Sequence, residues 1–277
     1  MADSAIALTR AYDAWLAGSI PVDKAELDRK HKEMAAHGYR FLRGSYYLWL
    51  DRIATELPEL LQHAPVPIVG DLHVENYGTW RDGAQVPRWG INDFDELARG
   101  PWVLDLLRLA VSATLAPHMK LDARQVARIV LDGWRKAEPG PSAELGKKRN
   151  AHLSALIPKP AAPDEFYAGL EQGAVAVPPA EVARAAAAVV AAGWKPTWHE
   201  HVAGTGSLGH ARIVGVGPAD DGKQHAREAK ELGHGTADWV QGRHRELRLP
   251  IAQASLYPLV SKAVRGPAGA ARTGDWQ

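Results

Sequence analysis

The chain has 277 residues, a net charge of +1 and no cysteine, which removes disulfides, thiolate metal sites and a cysteine nucleophile and leaves no basic field to hold nucleic acid. A hydrophobic share of 46% is enough for the core of one large domain or two small lobes. No uninterrupted apolar run reaches the roughly 18 residues that a membrane span needs.

Residues 1–10 carry an early Asp3 and lack a charged stretch ahead of an apolar core, so they do not read as a signal peptide. With no thiols, the expected location is the cytoplasm. Ala5–Ala17 has the spacing of an amphipathic helix, and 23–36 is charged and helix-permissive. Residues 39–47 mix aromatics with Arg40 and Arg43. Arg43 could clamp a phosphate or carboxylate with both arms, an ordinary ion pair being the competing reading. A helix is expected over 47–61, stopping near Pro65. The β-rich run 66–69 ends at Gly70, and 89–91 reads as a second short strand.

Residues 103–116 are apolar on nearly every side, interrupted by Asp105, Arg108 and Ser112, which predicts a buried helix. Asp105 would cap that helix or brace the preceding loop through backbone N–H groups. Residues 122–136 form a further amphipathic pattern, with Val126, Ile129, Val130 and Trp134 at helical spacing. The stretch 138–180 is rich in Pro, Gly, Ala and Lys and reads as a linker with short helical pieces. It would divide a helical segment, 1–137, from a second segment, 181–277. In the latter an Ala-rich helix stops at Gly193, and 211–216 is strand-like. The ten tryptophans are assigned to core packing and stacking.

Chemistry concentrates between Gly70 and Glu96. Asp71 and Asn76 lie in G-D-L-H-V-E-N, and Asp93 in I-N-D-F-D-E, each motif following a strand-like run. Phosphoryl transfer needs a carboxylate to orient or deprotonate the attacking hydroxyl, and hard oxygen ligands for Mg²⁺. Asp71 suits the first task, Asn76 and Asp93 the second. The bland alternative is that the two aspartates cap turns and Asn76 makes an Asx-turn. Further on, Gly204-Thr205-Gly206-Ser207-Leu208-Gly209 is followed by a strand rather than a helix. That suits a phosphate-covering hairpin better than a dinucleotide fold. Lys230 then falls where a phosphate-binding lysine would lie, on the next strand, with Lys223 as competitor.

These residues resemble the aminoglycoside phosphotransferase branch of the kinase-like fold, whose catalytic loop reads G-D-x-H-x-x-N. The longer string is closer to the bacterial domain of unknown function 2252 family. The shared pattern takes in Phe41-Leu42-Arg43-Gly44, Gly70-Asp71-Leu72-His73 with Asn76-Tyr77-Gly78, Asn92-Asp93-Phe94-Asp95-Glu96, Gly100-Pro101-Trp102 with Asp105-Leu106, and Gly204 to Gly209. The resemblance implies an α+β, two-lobed, protein-kinase-like fold using ATP and Mg²⁺. Asp71 and His73 would lie on the catalytic loop, with His73 ordering it by hydrogen bonds. Asn76 and Asp93 would hold the metal. Gly204, Thr205, Gly206, Ser207, Gly209, Lys230 and Arg43 would contact the nucleotide. It also favours the bracing role for Asp105.

A kinase places its Gly-rich loop and lysine before the catalytic aspartate; here they follow it. The expected fold is therefore circularly permuted. From Gly233 the tail departs from the family pattern, so a C-terminally truncated large lobe is part of the expectation. The expected function is a phosphotransferase with an unidentified small-molecule or protein acceptor. The alternatives are a non-catalytic nucleotide-binding pseudokinase and, further off, a metal-dependent phosphohydrolase.

Overall fold

Ser4 opens helix α1 (Ala5–Ala17) by accepting from the Ala7 N–H at 3.2 Å. Leu8, Tyr12 and Leu16 recur every fourth residue and are all buried, so one face of α1 enters the core. The computed structural model describes residues 4–138, 140–157, 162–201, 211–231, 235–244 and 253–265. The Gly-rich segment Gly204–Gly209, and with it Gly204, Thr205, Gly206, Ser207 and Gly209, lies outside them.

The described residues form a mixed α+β fold with three small antiparallel sheets. Asp23 caps α2 (Lys24–Ala36), accepting from Glu26 N at 3.0 Å. Short α3 (Gly38–Gly44) packs on it, and α4 (Tyr46–Glu56) follows. A Cβ on Gly44 would stand 2.6 Å from Met34 Cγ, so this glycine permits the close approach of α3 to α2. The helix expected over 47–61 breaks earlier. Leu57, forced out of helical geometry ahead of Pro58, ends α4, and Pro58–Gln62 forms a 3-10 turn.

Strand β1 (Pro65–Ile68) pairs with β4 (Ala98–Pro101), Pro65 opposite Pro101 and Ile68 opposite Ala98. Between them, β2 (Tyr77–Arg81) and β3 (Pro87–Ile91) make a hairpin, extended by the short β5 (Ala143–Glu144). Asp82 holds the hairpin turn, accepting from Ala84 N, Val86 N and buried Arg88 Nε at 2.9, 3.0 and 2.9 Å. Residues 77–81, which the sequence does not mark as a strand, thus form one. Helices α5 (Val103–Leu115) and α6 (Ala123–Lys136) follow, stacking Trp102 on Trp134 with ring centroids 4.4 Å apart. α5 is less enclosed than its composition suggests, since Leu115 is exposed. α6 buries only Val126 and leaves Ile129 and Trp134 exposed.

Short α7 (Ala151–Ser154) and α8 (Pro163–Leu170) occupy the Pro- and Gly-rich stretch, and α9 (Ala180–Val189) comes next. The third sheet has the order β6 (Thr197–Glu200), β7 (Arg212–Pro218), β8 (Gln224–Lys230). α9 covers it through Val182, against Trp198, Ile213 and Ala229. The last described helices are α10 (Thr236–Arg243) and α11 (Gln253–Val264).

Trp239 and Val240 of α10 join Tyr12, Tyr47 and Leu104 in the main core. There Tyr12 and Tyr47 stack at 4.1 Å and Trp239 meets both edge-on. Asp51 of α4 anchors the same helix, accepting from Arg243 Nε at 3.0 Å and lying 2.9 Å from His244 Nε2. α11 sets Leu256 and Tyr257 against Phe94 and Leu97. The helices that follow the third sheet thus return to pack on the first half. Among the described residues no helix is long and apolar enough to cross a membrane.

Candidate functional site

The site is built where β1 ends. Gly70 has φ +91°, and a Cβ there would lie 2.3 Å from the Glu96 carbonyl oxygen. Only glycine allows the two motif loops to touch at this point. Asp105, in the first turn of α5, accepts from Val69 N at 2.7 Å and Gly70 N at 3.0 Å. This is the bracing role, and it fixes the direction in which the backbone leaves the strand. Burial lifts the Asp105 carboxyl to about 6, against the pull of the two N–H groups and Arg108.

Arg108 lies one turn further along α5 and is fully buried. Its Nε donates to Asp71 Oδ1 at 2.6 Å and its Nη2 to the Leu42 carbonyl at 2.7 Å. Nη2 also contacts Asp71 Oδ1. Tyr46 and Trp49 flank the guanidinium at 4.8 and 5.3 Å from their ring centroids. Both contacts fall on Oδ1. Burial raises the Asp71 pKa and Arg108 draws it back. Ser112, another turn on, accepts from Val74 N at 3.2 Å. The three polar interruptions of the apolar helix therefore share one face, and each holds a different part of residues 69–74.

His73 is buried, and its Nδ1 accepts from Glu75 N at 3.2 Å. Burial first, and then the nearby Arg43 charge, push it down to about 3, so it is neutral at physiological pH. It orders the turn from inside. Asn76 Oδ1 accepts from His73 N at 2.5 Å, and Asn76 Nδ2 donates to Asp93 Oδ2 at 3.3 Å. The Asn76 carbonyl accepts from Asn92 N at 3.1 Å. The two motifs thus meet, with Asp93 exposed at the junction.

Lys230 closes the group from the end of β8. It is mostly buried and pairs with Asp95, two residues after Asp93. Burial lowers its pKa and the Lys30 charge adds to the lowering, while Asp93 and Asp71 oppose it. Lys223, the alternative, sits exposed beside the β7–β8 turn. Arg43 pairs with Glu75, so its ordinary ion pair is present, while its Nε is buried without a partner among the described residues.

The structure therefore brings Asp71, His73, Asn76, Asp93 and Lys230 together, with Arg43 at the edge. Of the expected nucleotide contacts, Gly204 to Gly209 fall outside the described residues. The flanking strands β6 and β7 are antiparallel neighbours, joined up to His201 N donating to the Arg212 carbonyl at 2.9 Å.

Three contributors receive no role at the site from the sequence. Arg108 has a signal, a charge in an apolar helix. Glu96 accepts from Thr236 N and Oγ1 at 2.9 and 2.6 Å, and burial raises it to about 7. Lys30, on the buried stripe of α2 with Met34, is 6% exposed. Its signal is a lysine standing between Leu27 and Met34, where helical spacing asks for an apolar residue.

Among the described residues no group of three His, Cys, Asp or Glu side chains is poised around one metal position. Asp93 with Asn76 is a sparser set. It suits Mg²⁺, which takes one or two protein carboxylates and fills its shell with water and phosphate oxygens. The Asn76 amide presents Nδ2 to Asp93, so it would have to turn over to offer Oδ1 to an ion.

No curated protein and no solved structure matches this protein. Residues 23–136, from the cap of α2 to the end of α6, match the family described as an uncharacterized protein conserved in bacteria (DUF2252), and to that extent the protein is similar to that family.

Proposed function

We propose that the protein is an ATP- and Mg²⁺-dependent phosphotransferase that moves a phosphoryl group to a hydroxyl of a small molecule or protein. Its frame would be two-lobed and kinase-like, with the segments in permuted order. The observation that carries this reading is the Lys230–Asp95 ion pair, which ties the end of β8 to the Asp93 loop. The strand order β6-β7-β8 supports it, since a kinase places its phosphate-binding lysine on the third strand after a Gly-rich hairpin. The separate core under the third sheet is consistent with a second lobe.

In this reading Asp71, aimed by Arg108 and by the Asp105 brace, orients the acceptor hydroxyl and takes its proton. Asp93 and Asn76 hold Mg²⁺, and Lys230 meets the phosphates. ATP, when bound, supplies the phosphoryl group. His73 sits inside the loop as an ordering group and is not presented as a metal ligand, which disfavours the phosphohydrolase alternative.

A non-catalytic nucleotide-binding module is the second reading. Asp95, at the place of a kinase glycine, is taken up by Lys230, and one oxygen of Asp71 by Arg108. Both readings require nucleotide binding. Thermal unfolding with Mg-ATP should show stabilisation of about 2.7 kcal/mol at 100 times Kd, lost when EDTA replaces Mg²⁺. No shift under either condition overturns both.

A further inference from the structure

Helix α3 presents two polar side chains that the proposed chemistry has not used. Tyr39 and Arg43 lie four residues apart, so they share one face of the helix. Both meet the turn that follows Asp71. The Tyr39 ring stands edge-on to the His73 ring, with centroids 6.5 Å apart. Arg43 pairs through Nη1 with Glu75. Asp71 is fastened to the same helix, because Arg108 donates both to Asp71 Oδ1 and to the carbonyl of Leu42, the neighbour of Arg43.

Among the described residues five buried side-chain polar atoms lack a hydrogen bond, and three of them are here: Tyr39 Oη, Arg43 Nε and Arg108 Nη1. Such atoms are few in a folded protein, so their concentration at one place calls for a cause. All three can donate, and two belong to cations, which selects an anion as the missing partner. Tyr39 is 3% exposed, and the Glu75 N–H that approaches its hydroxyl donates instead to His73 Nδ1 at 3.2 Å. Glu75 occupies one nitrogen of Arg43 and leaves Nε empty, so a guanidinium able to grip an anion with two parallel bonds is half used. The Glu75 side chain is 52% exposed and is free to swing into water.

We propose that Tyr39 and Arg43 hold the anionic group, a carboxylate or a phosphate, of a hydroxyl-bearing acceptor, and that Glu75 keeps this place until the acceptor displaces it. This rests on the phosphotransferase reading and deepens it, because it names the acceptor as an anionic hydroxy compound. The anion is held on α3 while the hydroxyl is brought to Asp71, which Arg108 fastens to that helix. The ligand prevails over Glu75 because it takes Arg43 Nε as well and adds the Tyr39 hydroxyl.

Glycerate, glycerol 3-phosphate and neutral glycerol serve as probes, titrated by NMR into wild type, Glu75→Gln and Arg43→Lys, with and without a non-hydrolysable Mg-ATP analogue. The two anions should bind and glycerol should not, the tighter anion identifying carboxylate or phosphate. Glu75→Gln should tighten the anion on the order of 10-fold by removing its competitor. Arg43→Lys, which keeps the charge and loses the fork, should weaken it by a similar factor. The nucleotide analogue should leave anion affinity unchanged. In wild type alone, phenylglyoxal modification of Arg43, read by mass spectrometry, should slow with either anion and not with glycerol, which frees the test from the folding of the variants. Anion affinity unchanged in both variants, no protection of Arg43, or glycerol binding as well as the anions overturns this assignment and leaves the nucleotide site standing. Competition between anion and nucleotide analogue moves Arg43 to the nucleotide and overturns the acceptor role. Wild type that binds the anions and no nucleotide overturns the underlying reading, and the acceptor role falls with it.

Discussion

Arg108, with no exposed surface, donates through Nε to Oδ1 of Asp71 at 2.6 Å and through Nη2 to the Leu42 carbonyl at 2.7 Å. One guanidinium thereby joins α5, the end of α3 and the loop that carries the candidate base. Its planar fork and aromatic flanks suit arginine and not lysine.

Arg108→Met removes the cation and keeps much of the volume. Asp71 is then left desolvated without its partner, and the Leu42 carbonyl loses a donor. Removing one member of a buried pair costs about 3–5 kcal/mol, and the partial exposure of Asp71 puts this case toward the lower figure. Urea denaturation should show a lower midpoint with an unchanged slope. Adding Asp71→Asn to Arg108→Met should recover part of the loss, because the stranded charge disappears. A double variant less stable than Arg108→Met would contradict the pairing.

Asp105→Ala tests the brace. It leaves the N–H groups of Val69 and Gly70 without their acceptor, at about 1–3 kcal/mol for each buried group left unsatisfied. Amide hydrogen exchange should accelerate at Val69 and Gly70, with smaller changes in α1. Unchanged protection at those two amides would show that the loop is held by something else.

That Asp105 has a structural task is legible in the sequence, with capping and bracing both open and the family resemblance favouring the brace. An aspartate in the first turn of an apolar helix has few uses, and the strands before both motifs can be read from composition. β8 forms despite poor β-formers, because the apolar β7 beside it supplies a full ladder, and pairing outweighs intrinsic preference. β2 is not legible, because its strand character depends on the hairpin partner. Ile129 and Trp134 of α6 keep their periodic spacing yet lie exposed, since periodicity identifies a face and not what covers it. The Glu96–Thr236 contact is illegible for a related reason, because its meaning depends on groups far away in sequence.

Glu96 gives a pH dependence whose sign is unusual. Burial raises its folded-state pKa from 4.5 to about 7, with the Thr236 hydrogen bonds opposing. The folded protein then holds a proton over a range where the unfolded polypeptide has lost it. Stability from this group is present at and below the unfolded pKa and declines as pH rises through about 7, by at most about 3 kcal/mol. Asp105, raised from 3.8 to about 6, adds a decline in the same direction at lower pH. Glu96→Gln cannot ionise, so its Tm relative to wild type should rise between pH 5 and pH 8. A difference between the two proteins that stays constant with pH would remove Glu96 as the source.

Asp71→Asn and Asp93→Asn together decide between enzyme and binding module. Asp71 is assigned to the acceptor hydroxyl, so it acts mainly in the transition state. Its amide should leave Mg-ATP affinity nearly intact and lower kcat on the order of 10²–10⁴-fold, as loss of a general base does. The substitution also weakens the bond to Arg108, so the Tm of the variant must be followed alongside. A kcat loss at a temperature where both proteins remain folded cannot come from unfolding. Asp93 is assigned to Mg²⁺, and Asp93→Asn removes the one full charge offered to the ion. Because Asp93 is exposed, this change should hardly affect stability, yet it should abolish the difference between Mg-ATP and ATP with EDTA. Single-turnover assays with labelled ATP, scoring autophosphorylation and slow hydrolysis, need no knowledge of the acceptor. Turnover in wild type that falls in Asp71→Asn supports the phosphotransferase. Equal nonzero turnover in both removes Asp71 from the chemistry, and Mg²⁺-dependent binding without turnover in either assigns the protein to the nucleotide-binding modules.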